Sequence, residues 1–96
     1  MLDLMCGSVI TRFEVRDFEL WKRGFDAATP HRTTLGFRSA RFYRDVDEPA
    51  RVVVVLDWDD IEAGRAYFND RALLAKMLGA GVVGAFEFQY VREVAS

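Results

Sequence analysis

The fold is decided by residues 51–58, Arg51-Val52-Val53-Val54-Val55-Leu56-Asp57-Trp58. The run of consecutive aliphatic residues in this stretch makes both faces of an extended segment apolar. That pattern is typical of a central β-strand covered on both sides. Only one of the two faces can pack against helices of the same chain. The stretch therefore predicts a central strand whose second face needs a further covering surface.

Three other segments alternate in the manner of strands. Residues 7–15, 37–45 and 85–94 are rich in β-branched and aromatic side chains with a period of two. In the second of these strands, the alternation predicts that Phe37, Ser39, Arg41 and Tyr43 share one face. The polar turn before residue 51 is short, which predicts an antiparallel hairpin.

Two helical segments separate these strands. The first begins after Asp17 and is expected to end or kink at Pro30, because proline lacks an amide hydrogen. The second begins after Asp60 and continues, beyond a new cap at Asp70, to Gly79. The order is β-α-β-β-α-β. The sequence thus predicts the α+β class and a ferredoxin-like fold with an antiparallel four-stranded sheet.

Composition limits the classes of function. The chain has 96 residues, of which 13 are basic and 15 acidic, and 51% are hydrophobic. We expect a single domain over residues 7–96 after a loose N-terminal leader, residues 1–6. The net charge of −2 argues against a nucleic-acid partner. No run approaches the ~20 apolar residues of a membrane helix, so we expect no membrane partner and a cytoplasmic location.

Metal and cofactor motifs are missing from the sequence. One cysteine and one histidine can form neither an internal disulfide nor a protein-only tetrahedral zinc site. Gly79, Gly81 and Gly84 match the letters of a dinucleotide fingerprint. They follow a helix and precede a strand, however, which reverses the order that binding requires. We therefore predict no metal and no cofactor.

Four short segments carry a resemblance to a known family. With the order and length of the elements, they resemble the dimeric α/β-barrel superfamily, and most closely its antibiotic biosynthesis monooxygenase-like and polyketide cyclase-like branch. That resemblance implies a homodimer whose two sheets close a barrel, and a ligand cavity between sheet and helices in each subunit. The segments are Asp57-Trp58-Asp59-Asp60-Ile61-Glu62-Ala63, Asp17-Phe18-Glu19-Leu20-Trp21-Lys22, Arg41-Phe42-Tyr43-Arg44 and Ala80-Gly81-Val82.

Three residues are candidates for catalysis. His31 is the only histidine and has a side chain suited to acid–base chemistry; the alternative, and the more common role of such a residue, is a solvated loop histidine. Arg32 and Arg41 could stabilise an enolate or phenolate, since guanidinium donors favour developing negative charge on oxygen. The alternative for Arg41 is a cross-strand ion pair, for example with Glu14 or Glu87.

Three aromatic residues are candidates for substrate binding. Tyr43, Trp58 and Tyr67 could stack on a planar molecule while donating an O–H or N–H group. The alternative for each of them is packing in the hydrophobic core.

The sequence supports two classes of function. The first is a small cofactor-independent enzyme that acts on a hydrophobic aromatic or polyketide-like small molecule by monooxygenation, or by cyclisation or isomerisation. The alternative is a non-catalytic small-molecule-binding or interaction dimer of the same fold.

Overall fold

The structure, a computed structural model, describes residues 5–94. Its sheet has the strand order β2-β3-β1-β4, and every neighbouring pair is antiparallel. This confirms the predicted ferredoxin-like fold, with each helical segment divided into two helices. In chain order the elements are β1 (Gly7–Val15), α1 (Phe18–Ala27), α2 (Thr29–Thr34), β2 (Phe37–Arg44), β3 (Arg51–Trp58), α3 (Ile61–Phe68), α4 (Arg71–Gly79) and β4 (Val82–Val91).

Aspartate side chains start three of the four helices. Asp17, Asp60 and Asp70 each accept a hydrogen bond from a free main-chain N–H in the first turn of α1, α3 and α4. Such caps satisfy amide groups that have no partner inside the helix. Pro30 lies in the first turn of α2, a position at which the missing N–H of proline is tolerated.

Helices α1 and α2 are almost continuous with one another. The N–H of Ala28 donates to the Gly24 carbonyl at 3.3 Å, and the N–H of Arg32 donates to the Ala28 carbonyl at 3.1 Å. This i→i−4 pattern carries one helical face across the junction. Pro30 therefore does not separate the residues before it from those after it.

The core lies between the helices and one face of the sheet. Alternate residues of β3, from Val52 to Trp58, are at most 1% exposed on this helix-side face. Val53 and Val55 are only half-buried on the other face, which we call the open face. Aromatic rings fill much of the core. Trp21 of α1 lies 5.0 Å from Phe13 between ring centroids.

Strand β2 contains a bulge that changes the predicted faces. Phe37 pairs with Trp58, whereas Ser39 pairs with Asp57, so one extra residue lies between them. Because side chains alternate along a strand, that residue turns Phe37 onto the helix-side face. Arg41 and Tyr43 stay on the open face. The prediction that Phe37 shares their face is wrong.

Strand β4 begins earlier than predicted and also ends earlier. It spans Val82–Val91 rather than residues 85–94. Gly84 has a φ of +77° and lies where the pairing of β4 with β1 shifts register between Arg12 and Glu14. Glycine adopts this left-handed conformation easily, and bulges often need it. Gly84, which the sequence assigned to the connection before the last strand, therefore lies within β4 at a bulge.

The N-terminal segment contacts the rest of the domain. The Met5 carbonyl accepts the N–H of Ile61 at 2.7 Å, and the Cys6 carbonyl accepts the Nε of Arg92 at 3.2 Å. Residues 1–4 of the predicted leader lie outside the described residues. Between residues 5 and 94, no helix is long and apolar enough to cross a membrane.

Gly64→Ala tests the close packing of α3 on β3. A Cβ at Gly64 would lie 3.0 Å from Cγ and Cδ2 of Trp58, whose ring is enclosed on all sides. We expect the resulting overpacking to outweigh the helix propensity of alanine and to lower the free energy of unfolding by about 1–2 kcal/mol. Urea denaturation followed by tryptophan fluorescence measures this.

The matched control is Gly79→Ala, at a helical glycine with no atom within 4 Å of the added carbon. Only the helix propensity of alanine acts there, so we expect that change to leave the free energy of unfolding unchanged or to raise it by up to about 1 kcal/mol. Equal effects at the two positions would contradict the packing argument.

Candidate functional site

A cavity of about 240 Å³ lies between the helix-side face of the sheet and the four helices. We call it the helix-side cavity. An apolar enclosure with a few convergent polar groups is the usual form of a small-molecule site. The polar lining side chains are Thr11, Arg32, Tyr67 and Lys76. The remaining lining residues are Phe13, Trp21, Gly24, Phe25, Ala28, Val54, Leu56, Phe68, Leu73, Met77 and Ala80.

Arg32 is the unusual residue of this cavity. Its side chain is 2% exposed. Nη2 donates to the Phe25 carbonyl at 2.6 Å and to Oγ1 of Thr29 at 2.8 Å. The guanidinium carbon lies 3.6 Å from the centroid of the Phe25 ring, so a cation–π contact also holds it.

No negative charge compensates Arg32 within residues 5–94. Its Nε is buried without a hydrogen-bond partner, and no described carboxylate lies within ion-pair distance. Buried charges in proteins are normally paired, since removing an ion from water is costly. The arrangement favours an anionic group in the cavity beside Arg32.

The mouth of the cavity lies between α1 and α4. Gly24 of α1 and Lys76 of α4 both line the cavity and are both exposed to solvent. Lys76 forms no ion pair with any described residue. None of the lining residues is acidic, so both charged groups of the cavity are positive. A ligand that enters here meets a field that favours an anion.

Only some of the predicted site residues meet at this cavity. Arg32 and Tyr67 line it. Trp58 lies behind Tyr67, with the two ring centroids 5.6 Å apart, and does not line the cavity. His31 is exposed on α2 and also lies outside the lining.

The other two predicted residues, Arg41 and Tyr43, project from β2 on the open face, where both are exposed. Nη2 of Arg41 lies 4.0 Å from Oδ1 of Asp57, which also accepts a 2.6 Å hydrogen bond from Ser8. The sheet therefore separates Arg41 from Arg32. Glu14, considered from sequence as a partner for Arg41, instead pairs with Arg51 at 3.3 Å.

The open face carries two wider depressions of about 600 and 900 Å³. They are larger than the helix-side cavity but more open to solvent, and some of their charged groups pair with one another. The Arg41–Asp57 and Arg51–Glu14 contacts are examples. We therefore regard the helix-side cavity as the better candidate for a small-molecule site.

Sequence reasoning missed Gly24, Ala28 and Lys76 as lining residues. Gly24, Ala28 and Arg32 are spaced by four, which places them on one helical face. That signal was present in the sequence. The spacing was not used because Pro30 was expected to end or kink the helix between Ala28 and Arg32.

Two side chains elsewhere in the domain, Tyr90 and Asp45, have pKa values shifted from their usual ranges. Burial raises the pKa of the Tyr90 hydroxyl, opposed by the nearby Arg65 charge. Main-chain N–H groups of Asp47 and Glu48 lower the pKa of the Asp45 carboxyl. Neither group lines the helix-side cavity. Residues 5–94 contain no group of three or more His, Cys, Asp or Glu side chains able to hold a metal ion.

Comparison with solved structures places this fold among known proteins. A protein from Bordetella bronchiseptica named as a candidate antibiotic biosynthesis monooxygenase superposes with a TM-score of 0.73 at 18% identity, covering 95% of this chain and 99% of that one. SnoaB from Streptomyces nogalater, a cofactor-independent oxygenase, superposes with a TM-score of 0.66 at 19% identity, covering 94% of this chain and 96% of that one.

A Nitrosomonas europaea protein of unknown function gives a TM-score of 0.70 at 14% identity, covering 99% of this chain and 95% of that one. No protein-family model matches the sequence, and no curated protein matches it. The structural superpositions show that the chain adopts the fold of the antibiotic biosynthesis monooxygenase-like proteins, as the sequence resemblance predicts.

Proposed function

We propose that this protein binds a hydrophobic aromatic or polyketide-like small molecule as its anion and transforms it without a cofactor, by monooxygenation or by cyclisation or isomerisation. The observation that carries the proposal is Arg32, a buried guanidinium inside an aromatic cavity with no carboxylate partner among residues 5–94. The names of two structural neighbours, an oxygenase and a candidate monooxygenase, support the reaction class.

Arg32 supplies the electrostatic part of this function. A fixed cation in an apolar enclosure stabilises a phenolate or enolate oxygen far more than a solvated one would, because the surroundings screen it weakly. Trp21 and Phe68 line the cavity and offer aromatic rings against which a planar ring can stack. The cavity thus favours the ionised form of an aromatic ligand over its neutral form.

The anion is the common intermediate of the proposed reactions. A ligand CH₂ group that ionises through a neighbouring oxygen becomes electron-rich at carbon and can react with dioxygen. One oxygen atom then stays as a new carbonyl and the other leaves as water with the two hydrogens. Cyclisation or isomerisation would use the same anion without dioxygen. The Tyr67 hydroxyl is the lining group best suited to relay the proton.

A second candidate function is a non-catalytic binding module. It is favoured by the composition of the lining, which has no carboxylate and no imidazole to act as a general base. Such a protein would hold the anionic ligand and release it unchanged.

We also propose that the open face forms a homodimer. Ile10, Val53 and Val55 are half-buried there in adjacent strands, and two ion pairs at their borders, Arg51–Glu14 and Arg41–Asp57, are formed within the chain. Covering this apolar strip with the same strip of a second copy gives a two-fold symmetric contact.

Arg32→Met tests the anion site. We expect calorimetric titration to show 2-naphthol binding roughly 10–100-fold more weakly, since hydrogen bonds to a charged group contribute about 1.5–3 kcal/mol. Naphthalene, which cannot ionise, should bind both proteins equally. Bound to the parent protein at neutral pH, 2-naphthol should show the absorption band of its anion.

Arg23→Met is the matched control, because Arg23 is an exposed arginine of α1 outside the cavity lining. Arg32→Met should also unfold at the same or a higher urea concentration, since it removes an uncompensated buried charge. Unchanged 2-naphthol affinity in a folded Arg32→Met protein would contradict the proposal.

Oxygen uptake separates the two functions. We expect the parent protein to consume dioxygen with 2-tetralone, which ionises from a CH₂ group, and Arg32→Met to consume it at least about tenfold more slowly. An oxygen electrode and product mass spectrometry measure this. Saturable binding with neither oxygen uptake nor a rearranged product would favour the binding module.

Val55→Arg tests the dimer. Val55 lies in the central strand of the open face, opposite Ile10 and Arg41 in the neighbouring strands. A charge there should weaken dimerisation at least about tenfold in Kd, as measured by sedimentation equilibrium. Val46→Arg, at a residue 94% exposed, should not change it. A parent protein that is monomeric throughout would refute the dimer.

A further inference from the structure

Gly24 stands at a position where packing does not require glycine. It lies within α1, where glycine destabilises a helix by roughly 1 kcal/mol relative to alanine. No atom lies within 4 Å of the point where a Cβ would be, and its φ is not positive. The missing side chain therefore leaves open space, and that space belongs to the mouth of the helix-side cavity.

Gly24 is the first member of a row that leads to the buried cation. Hydrogen bonds from Ala28 to Gly24 and from Arg32 to Ala28 align the three residues along one helical face. All three line the cavity, and the first two are small. The Arg32 side chain runs back along this face, since Nη2 contacts the carbonyl of Phe25. Its guanidinium thus lies beside the carbonyl of the residue that follows Gly24.

We infer that Gly24 determines the size of the ligand, and that the ligand is a flat aromatic anion of one or two rings. It lies against Gly24 and Ala28 with its charged oxygen at Arg32. This inference rests on the proposed function and specifies its substrate class.

The volume of the cavity sets the upper limit on ring number. An apolar cavity of about 150 Å³ holds one benzene molecule. The helix-side cavity, at about 240 Å³, exceeds that by less than the volume of a second complete benzene site. Two fused rings share atoms and fit this space, whereas a third ring would have to project past Gly24 into solvent.

A series of hydroxylated aromatics tests the inference. Phenol, 2-naphthol and 2-anthrol carry the same hydroxyl group on one, two and three rings. We expect the parent protein to bind 2-naphthol most tightly. Gly24→Leu should weaken 2-naphthol at least about tenfold and phenol less than about threefold, because the added side chain occupies only the outer part of the cavity. Isothermal titration calorimetry measures all three.

Two further variants complete the design. Ala27→Leu places the same side chain at an exposed position of α1 outside the lining, and should leave all affinities unchanged. Gly24→Ala should raise the melting temperature through helix propensity while weakening 2-naphthol. A rise in stability together with a loss of affinity shows that the effect is not a folding defect.

The outcomes separate this inference from the proposed function. If the parent protein binds none of the three compounds, the proposed function fails and the inference fails with it. Tightest binding of 2-anthrol, or equal effects of Gly24→Leu on phenol and 2-naphthol, overturns the inference while the anion site stands. A selective loss of 2-naphthol supports both.

Discussion

Strand β3 has to be covered on both faces, and the other parts of the domain are arranged around that requirement. On the helix-side face its alternate residues, from Val52 to Trp58, pack beneath the helices and are almost fully buried. On the open face Val53 and Val55 are only half-buried within one chain. The first face holds the core and the helix-side cavity, and the second is the surface we assign to a second copy.

The helix-side cavity differs from an ordinary packing gap in its chemistry. A gap left by imperfect packing is apolar, and it can stay empty because no polar group in its lining needs a hydrogen-bond partner. This cavity contains the guanidinium of Arg32, whose Nε has no partner among the described residues. Hydrogen bonds to Phe25 and Thr29 fix the position of that charge but do not neutralise it. An anion does both.

Local patterns predicted most of the fold. Strands β1 and β3 and the aspartate caps at residues 17, 60 and 70 depend on residue types and periods that short segments contain. The bulges in β2 and β4 depend on how neighbouring strands pair, which no single segment specifies. The errors therefore fall at the second and fourth strands, where register is decided by tertiary structure.

The site was predicted less well for the same physical reason. Arg32 and Arg41 are the same residue type, and the sequence favoured Arg41 because it shares a partly apolar strand face with Tyr43. The fold gives the first a buried, aromatic environment and the second a carboxylate neighbour, Asp57, on the opposite side of the sheet. Tyr67 lines the cavity, while Tyr43 lies exposed on the open face. Residue type identified the candidates, but only the assembled sheet could separate them.

Gly24 and Arg32 both work against the stability of the domain. Glycine weakens the helix in which it lies, and an unpaired buried charge disfavours the folded state. Each would be easy to replace, by alanine in one case and by an apolar side chain in the other. They lie on the same helical face and line the same cavity, and the Arg32 side chain folds back to the carbonyl of Phe25, the residue after Gly24. Two independent losses of stability at one place are expected where a ligand compensates them. The ligand that does so fills the space at Gly24 and neutralises the charge at Arg32.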